Sequence, residues 1–282
     1  ALPELRSAAD LAVLRCLNRA PERLDGWCRG RGIGFGTDLH MTADSAAFRP
    51  VGQGLPMHEG KSFHQFTDTW QTMPRYAVPE AALSPRTGAA AAHYRLAFRD
   101  VARSTDERTA IAMIAPPGTV FGHTAVVERT PEQRPIGVAL LLCAVMNSYP
   151  FDWLVRQKAA AHLSLYLLGS LPVPAFSASD AAFLQRAALR LCCNHAGYAS
   201  LWAAETGRRR MEWPALAAPT ERRALRAEMD AVIAQAYGLD RIGYAQILAA
   251  FSHRSWPEAP AQCLAAYDRR CAARSSSIRA AS

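Results

Sequence analysis

Residues Tyr94 to Pro117 read YRLAFRDVARSTDERTAIAMIAPP. Tyr94, Leu96 and Phe98 alternate with Arg95 and Arg99, so an extended segment here has one apolar and one basic face. A polar break carrying Arg103, Asp106, Glu107 and Arg108 follows, and then a second apolar run, Ala110 to Ala115. Period-two alternation on both sides of a polar break predicts two strands joined by a loop. Arg95, Arg99, Arg103 and Arg108 all fall on or beside that sheet, which suits an anionic polymer better than a small neutral ligand. The plainer alternative is a solvated loop whose Asp and Glu neutralise the arginines in surface pairs.

On the N-terminal side of this stretch, the chain opens in a helical pattern, Leu2 to Leu17, that ends near Asn18. Residues 26–60 are broken by Gly, Pro and polar side chains and read as short strands and loops, with Asp44 at a turn or cap. Lys61 to Trp70 and Tyr76 to Val78 look extended, residues 80–93 are an Ala-rich surface helix or ordered linker, and Val120 to Val127 continues the strands. Beyond residue 130 the pattern turns helical. Thr130 or Pro131 starts a long helix to about Lys158, bent near Pro150. After the loop GSLPVP (Gly169–Pro174), helices are expected at Ala178–His195, Leu201–Arg210, Thr220–Tyr237 and Ile242–Phe251, with Gly238 as a C-terminal cap and an irregular tail at the end. The expected class is α+β, with a β-rich part over 1–130 and a helical part over 131–282.

The 282 residues are half hydrophobic and carry a formal charge of +8. Lys61 and Lys158 are the only lysines, so the cations are almost all arginine. Arginine favours bidentate contacts with phosphates and base edges, although a GC-rich coding origin gives the same bias in an Ala- and Pro-rich chain. Seven cysteines with no C-x-x-C pair suggest a reducing cytosol. Cys192, Cys193 and His195 outline a zinc site, but adjacent positions on a helix point apart and no second ligand pair is spaced to help. The apolar run Ile136–Met146 is about half the length of a membrane span and reads as a core helix, and no signal peptide is apparent. A start without Met, directly in a helical pattern, reads as a fragment or processed piece.

Catalytic patterns are weak. Gly32-Ile33-Gly34-Phe35-Gly36 neither follows a hydrophobic strand nor opens a convincing helix, as a cofactor loop must. Asp44 with Glu59-Gly60-Lys61 outlines a metal-dependent nuclease, in which two carboxylates hold a magnesium ion and Lys assists water. The glycines and Pro56 make that segment a loop, whereas such a site needs a strand. His123 has no evident partner. Tyr149-Pro150 lacks the Pro-Pro of the amino-methyltransferase motif. What remains is a set of basic and amide groups beside glycines. Lys61, His64 and Gln65 in GKSFHQF offer donors to phosphates or base edges, Gly60 permits close backbone approach, and Phe63 and Phe66 anchor the segment. Arg156, Lys158 and His162 close the long helix on positive charge, which the helix dipole alone explains.

Five segments occur in the order of a known family: DLHMTADSAAF (Asp38–Phe48), MHEGKSFHQF (Met57–Phe66), the arginine-rich stretch Tyr94–Pro117, MNSYPFDWLVRQKAAAHLSLYLLGSLPVP (Met146–Pro174) and EMDAVIAQAYGLDRIGYAQILAAF (Glu228–Phe251). Together, from about Gly34 to Phe251, they resemble the C-terminal target-recognition region of class I N6-adenine DNA methyltransferases, including type IIG restriction-modification enzymes and phage-defence methylases. The resemblance implies a cytoplasmic module that binds double-stranded DNA and works with a methyltransferase domain in cis or in trans. S-adenosylmethionine is expected in that N-terminal domain, and no cofactor, metal or catalytic residue is expected in this chain. Carried onto this sequence, Lys61, Arg99 and Arg103 would position phosphates, and His64, Gln65 and Arg108 would read base edges. Thr105 lies in the same motif, Asp106 would orient Arg108, and Asn147, Asp152 and His162 would be structural. The rivals are a small nuclease using Asp44, Glu59 and Lys61, and a protein-interaction subunit of a defence complex that makes no DNA contact.

Overall fold

The computed structural model describes residues 7–100, 106–158 and 163–281, with side chains through 276. In chain order the front part holds α1 (Ala8–Leu17), β1 (Glu22–Arg23), α2 (Leu24–Arg29), β2 (Phe35–Gly36), β3 (Leu55–His58), β4 (Tyr76–Val78), α3 (Pro85–Ala91), β5 (Arg95–Arg99), β6 (Ala112–Ala115), β7 (Val120–Phe121) and β8 (Ala125–Glu128). Then come α4 (Ile136–Met146), α5 (Tyr149–Arg156), α6 (Leu165–Gly169), β9 (Pro172–Val173), α7 (Ala178–Cys192), α8 (Ala199–Thr206), α9 (Pro219–Ala236), α10 (Arg241–Ala249) and α11 (Ala259–Ala281). The class is α+β, as expected. The main sheet runs β2-β8-β5-β6 with antiparallel neighbours; a smaller one runs β4-β3-β7, with β3 and β7 parallel.

The stretch Tyr94–Pro117 supplies β5 and β6, paired from Arg95–Ala115 to Phe98–Ala112. The alternation expected for β5 is present, but its second face is not open. Leu96, Phe98, Ala112, Ile114 and Val126 pack on the helical side with α4, while Ala97, Met113 and Val127 are covered by Phe63 and Phe121. Burial on both faces explains why Arg95 is only 1% exposed. It survives there because Asp38 accepts from both its Nη atoms, at 3.1 and 3.0 Å. An isolated buried charge costs several kcal/mol, so that pairing is obligatory.

The long helix expected from residue 130 to 158 is two helices. Ser148 caps α5 by accepting from Phe151 N at 3.3 Å, and Pro150 sits in the first turn, where its missing N–H is no loss. The pair is bent by 64°. The break supplies the edge of the main sheet with partners. Asn147 donates to Ala112 O at 2.8 Å and accepts from Ala112 N at 2.9 Å, and Asp152 accepts from Thr109 N and Ala110 N. An edge strand that would otherwise present bare N–H and C=O groups is thereby closed.

The start of the chain lies with the helices: α1 packs on α10, α2 on α6, and β1 pairs with β9. Gly238 ends α9 at φ 76, as its position suggested. The tail is not irregular, because α11 packs along α9 through Cys263, Ala266 and Tyr267. No extended strand forms over Lys61–Trp70, which instead holds a short 3-10 turn and a tight reversal. Among the described residues no single helix is long and apolar enough to cross a membrane.

Candidate nucleic-acid interface

The segment Gly60–Trp70 crosses the covered face of the main sheet and reverses at His64–Thr67. His64 N donates to Thr67 O at 2.9 Å and Thr67 N to His64 O at 3.1 Å. Phe66, at the third position of this turn, takes φ 62. That backbone favours glycine and costs a bulky residue on the order of 1–2 kcal/mol. Three contacts hold it: the ring is buried, Phe66 N donates to Ala112 O at 3.0 Å, and Asn194 Nδ2 donates to Phe66 O at 2.8 Å. A fixed corner of this kind aims the side chains beside it.

Three arginines grip the corner. Arg99, the last residue of β5, donates to Phe63 O through Nε at 3.1 Å and through Nη2. Arg108 Nη1 reaches Gln65 Oε1 at 3.4 Å, and Arg226 Nη2 from α9 donates to the same oxygen. Gln65 Nε2 spends its protons on Ala110 O and Asn147 O. His64 is left between these cations, half-buried and stacked on Trp70 at 4.3 Å between ring centroids. Burial first, and then the charges of Arg99, Arg226 and Arg108, push its imidazole down to about 3. At neutral pH His64 therefore carries no charge and keeps one donor and one acceptor.

The cations differ in how they are compensated. Burial alone would lower the Arg108 guanidinium, but Asp152, with Nε–Oδ2 at 2.7 Å, turns the balance upward. Arg108 also lies 4.2 Å from the Tyr149 ring centroid. Arg99 and Arg226 are brought down to about 10, Arg99 by burial and Arg226 by burial and then Arg108. Neither makes an ion pair with a carboxylate among the described residues. Both keep some exposed surface. An anion placed against them would relieve the cost of two concentrated charges. The cavity beneath, between Arg108, Tyr149, Arg226 and Asp230, measures about 10 Å³ and takes at most one water. Burial raises the Asp230 carboxyl to about 6, despite the nearby arginines and the bond from Tyr149 N.

Of the residues singled out in the sequence, the structure gathers Lys61, His64, Gln65, Arg99 and Arg108 at one corner; Arg103 and Thr105 lie outside the described residues, as does His162. Their placements differ from the expectation in particular ways. Gln65 and Arg108 are buried and engaged with protein partners, so in this state they hold the corner instead of offering donors to a groove. Asp152, not Asp106, orients Arg108. Gly60 permits close approach to the protein's own chain: a Cβ there would meet Thr124 O at 2.8 Å. Lys61 is exposed, 3.7 Å from Glu59. Glu59 meanwhile takes a bidentate contact from Arg75 at 2.9 and 2.8 Å, and Asp44 accepts from His40 N at 2.7 Å. Among the described residues no three His, Cys, Asp or Glu side chains gather as metal ligands would. Cys192 and Cys193 are buried, and His195 is turned to Asp68, 2.9 Å away.

Arg226 and Trp70 escaped the sequence reading. Arg222, Arg226 and Asp230 recur every four residues on a face of α9 that otherwise goes inward, through Met229 and Ile233. Charges repeated on the buried side of a helix are the available signal. For Trp70 the stack on His64 has no sequence signature.

No family model and no curated protein matches the sequence. Among solved structures the chain is similar to the crystal structure of the HsdS subunit from Thermoanaerobacter tengcongensis, with 16% identity and a TM-score of 0.32 over 81% of this chain and 50% of that one. The chain thus spans about half the length of that subunit. A TM-score this low does not define a shared fold.

Proposed function

We propose that this chain is a sequence-specific recognition module for double-stranded DNA, serving an N6-adenine DNA methyltransferase or restriction-modification enzyme whose catalytic domain and S-adenosylmethionine site lie elsewhere, in cis or in trans. One observation carries the DNA part. Arg99 and Arg226, without carboxylate partners among the described residues, flank a neutral His64 on a rigid corner beside exposed Trp70 and Lys61. Guanidinium groups whose charge no ion pair cancels, with Asp106 and Asp230 acting on them only at longer range, favour phosphate, and a neutral imidazole held by its surroundings can discriminate donor from acceptor on a base edge. The methyltransferase part rests on the family resemblance of the five ordered segments. In that setting the module would hold the duplex while a target adenine is flipped into the partner domain's pocket.

The test is fluorescence anisotropy of the chain with a pool of random duplexes at low and moderate salt, followed by sequencing of the bound fraction. Salt-sensitive binding with one enriched short motif is expected. Absence of binding at low salt overturns the reading for this chain, and salt-sensitive binding without enrichment reduces it to non-specific affinity.

A further inference from the structure

A second concentration of positive charge lies outside this corner. After α8 the chain runs Gly207-Arg208-Arg209-Arg210-Met211-Glu212-Trp213 before entering α9. Gly207 ends α8 at φ 68, a left-handed conformation that glycine takes without strain. The loop is anchored at both ends. Trp202 on α8 and Trp213 meet edge to face at 6.4 Å, and Ala215 N donates to Cys193 O at 2.8 Å, with Ala215 and Leu216 buried. Arg210 lies 5.3 Å from the Trp202 ring centroid and its Nε donates to Glu212 O at 2.7 Å. Arg208 and Arg209 are exposed. Among the described residues none of the three makes an ion pair, although Glu205 and Glu212 flank them in sequence.

Three adjacent cations repel one another, and nothing described in this chain neutralises them. The loop is also tied to the corner. Asn194, beside Cys193, donates to Phe66 O and accepts from Arg222 Nη1 at 3.1 Å, while His195 holds Asp68. Residues 193–195 therefore connect the C-terminal end of the loop, at Ala215, to the reversal that carries His64.

We propose that Arg208, Arg209 and Arg210 form a second phosphate-binding site, which grips the backbone of the same duplex beside the His64 corner. The inference rests on the duplex-binding reading above. Arg210, laid on Trp202, fixes the loop, and Arg208 and Arg209 extend from it to phosphate oxygens. Long side chains on an exposed loop contact the backbone without reading bases, so this site adds affinity and register but no sequence preference.

The test compares the whole chain with its R208Q/R209Q and R208K/R209K variants, binding a labelled random-sequence duplex across a salt series. Arg210 stays in place so that the Trp202 contact is preserved, and thermal midpoints monitor folding. At about 0.9 per phosphate contact, the slope of log affinity against log salt is expected to fall by about 1.8 in the Gln variant and to hold in the Lys variant. A Gln variant that keeps the wild-type slope overturns the second site and leaves the His64 corner standing. A wild-type chain that does not bind at low salt overturns both.

Discussion

The arginines of the sheet interior and those of the partly buried corner and the exposed loop behave in opposite ways. In the interior Arg95, Arg108 and Arg134 are each locked to a buried carboxylate, Asp38, Asp152 and Glu128. At the corner Arg99 and Arg226 have no such partner among the described residues, and neither do Arg208 to Arg210 on the loop. The Arg95 and Arg108 pairs join segments distant in sequence, and Asp38 also accepts from Arg129 and from Phe121 N at 3.2 Å. The second set leaves positive charge to be met from outside. A guanidinium is a structural bolt or an anion receptor according to whether a carboxylate accompanies it, and its count in the sequence cannot distinguish the two.

Removing a bolt should be the most damaging change. Asp38→Ala strands the Arg95 guanidinium in the interior and is expected to cost about 3–5 kcal/mol, read as a lower midpoint in urea unfolding. A midpoint close to wild type would mean the buried pair is not what closes the sheet. The corner should respond differently. Arg99→Gln with Arg226→Gln removes two charges that burial already disfavours, but also the bonds to Phe63 O and Gln65 Oε1, so the unfolding midpoint should fall far less than in Asp38→Ala. Duplex affinity should fall about tenfold or more for each charge-assisted hydrogen bond removed, measured by anisotropy at low salt. Unchanged affinity would erase the distinction between the two sets.

The pH dependence of stability probes the same division. With its imidazole at about 3, well below the ordinary 6.5, folded His64 resists a proton that the unfolded chain accepts. Stability should therefore be full above about pH 6.5 and fall as pH drops through the window to 3. Asp230 acts in the opposite sense, since a carboxyl raised to about 6 from 3.8 makes stability decline as pH rises through that range. Unfolding of His64→Gln followed from pH 7 to 4 should show a weaker decline toward acid than wild type. Identical profiles would mean that neither burial nor the three arginines act on His64.

How much of this was legible in the residues varies with range of interaction. Alternation in Tyr94–Ala115 located β5 and β6, because period two is a local property. The same pattern implied an open basic face, and only long-range packing, which brings Asp38, Thr119 and Phe121 onto it, puts Arg95 inside. GKSFHQF was readable as a candidate segment, since a glycine, a lysine, a histidine and anchoring aromatics are adjacent in it. The inward role of Gln65 was not, because the turn that points it depends on Phe66 being held by Ala112 and Asn194. Near Pro150 the sequence showed a bend but not a full break: Ser148 and Pro150 signal a helix start, while the apolar runs on either side suggest one continuous helix. α11 escaped for a related reason, its inward face being made largely of Ala, Cys and Tyr.

The mildest change isolates phosphate positioning from everything else. Lys61 is exposed and its only described ion pair, with Glu59 at 3.7 Å, is at the surface. Such pairs contribute little, so Lys61→Ala should move stability by no more than about 0.5 kcal/mol. Arg75 continues to hold Glu59, so the turn that presents the corner should stay intact. If Lys61 touches one phosphate, the salt slope of duplex binding should fall by about 0.9 and affinity should weaken equally for every sequence in the pool. A change in the enriched motif would instead assign Lys61 to base reading, and with it shift the boundary between the contacts that hold the duplex and those that read it.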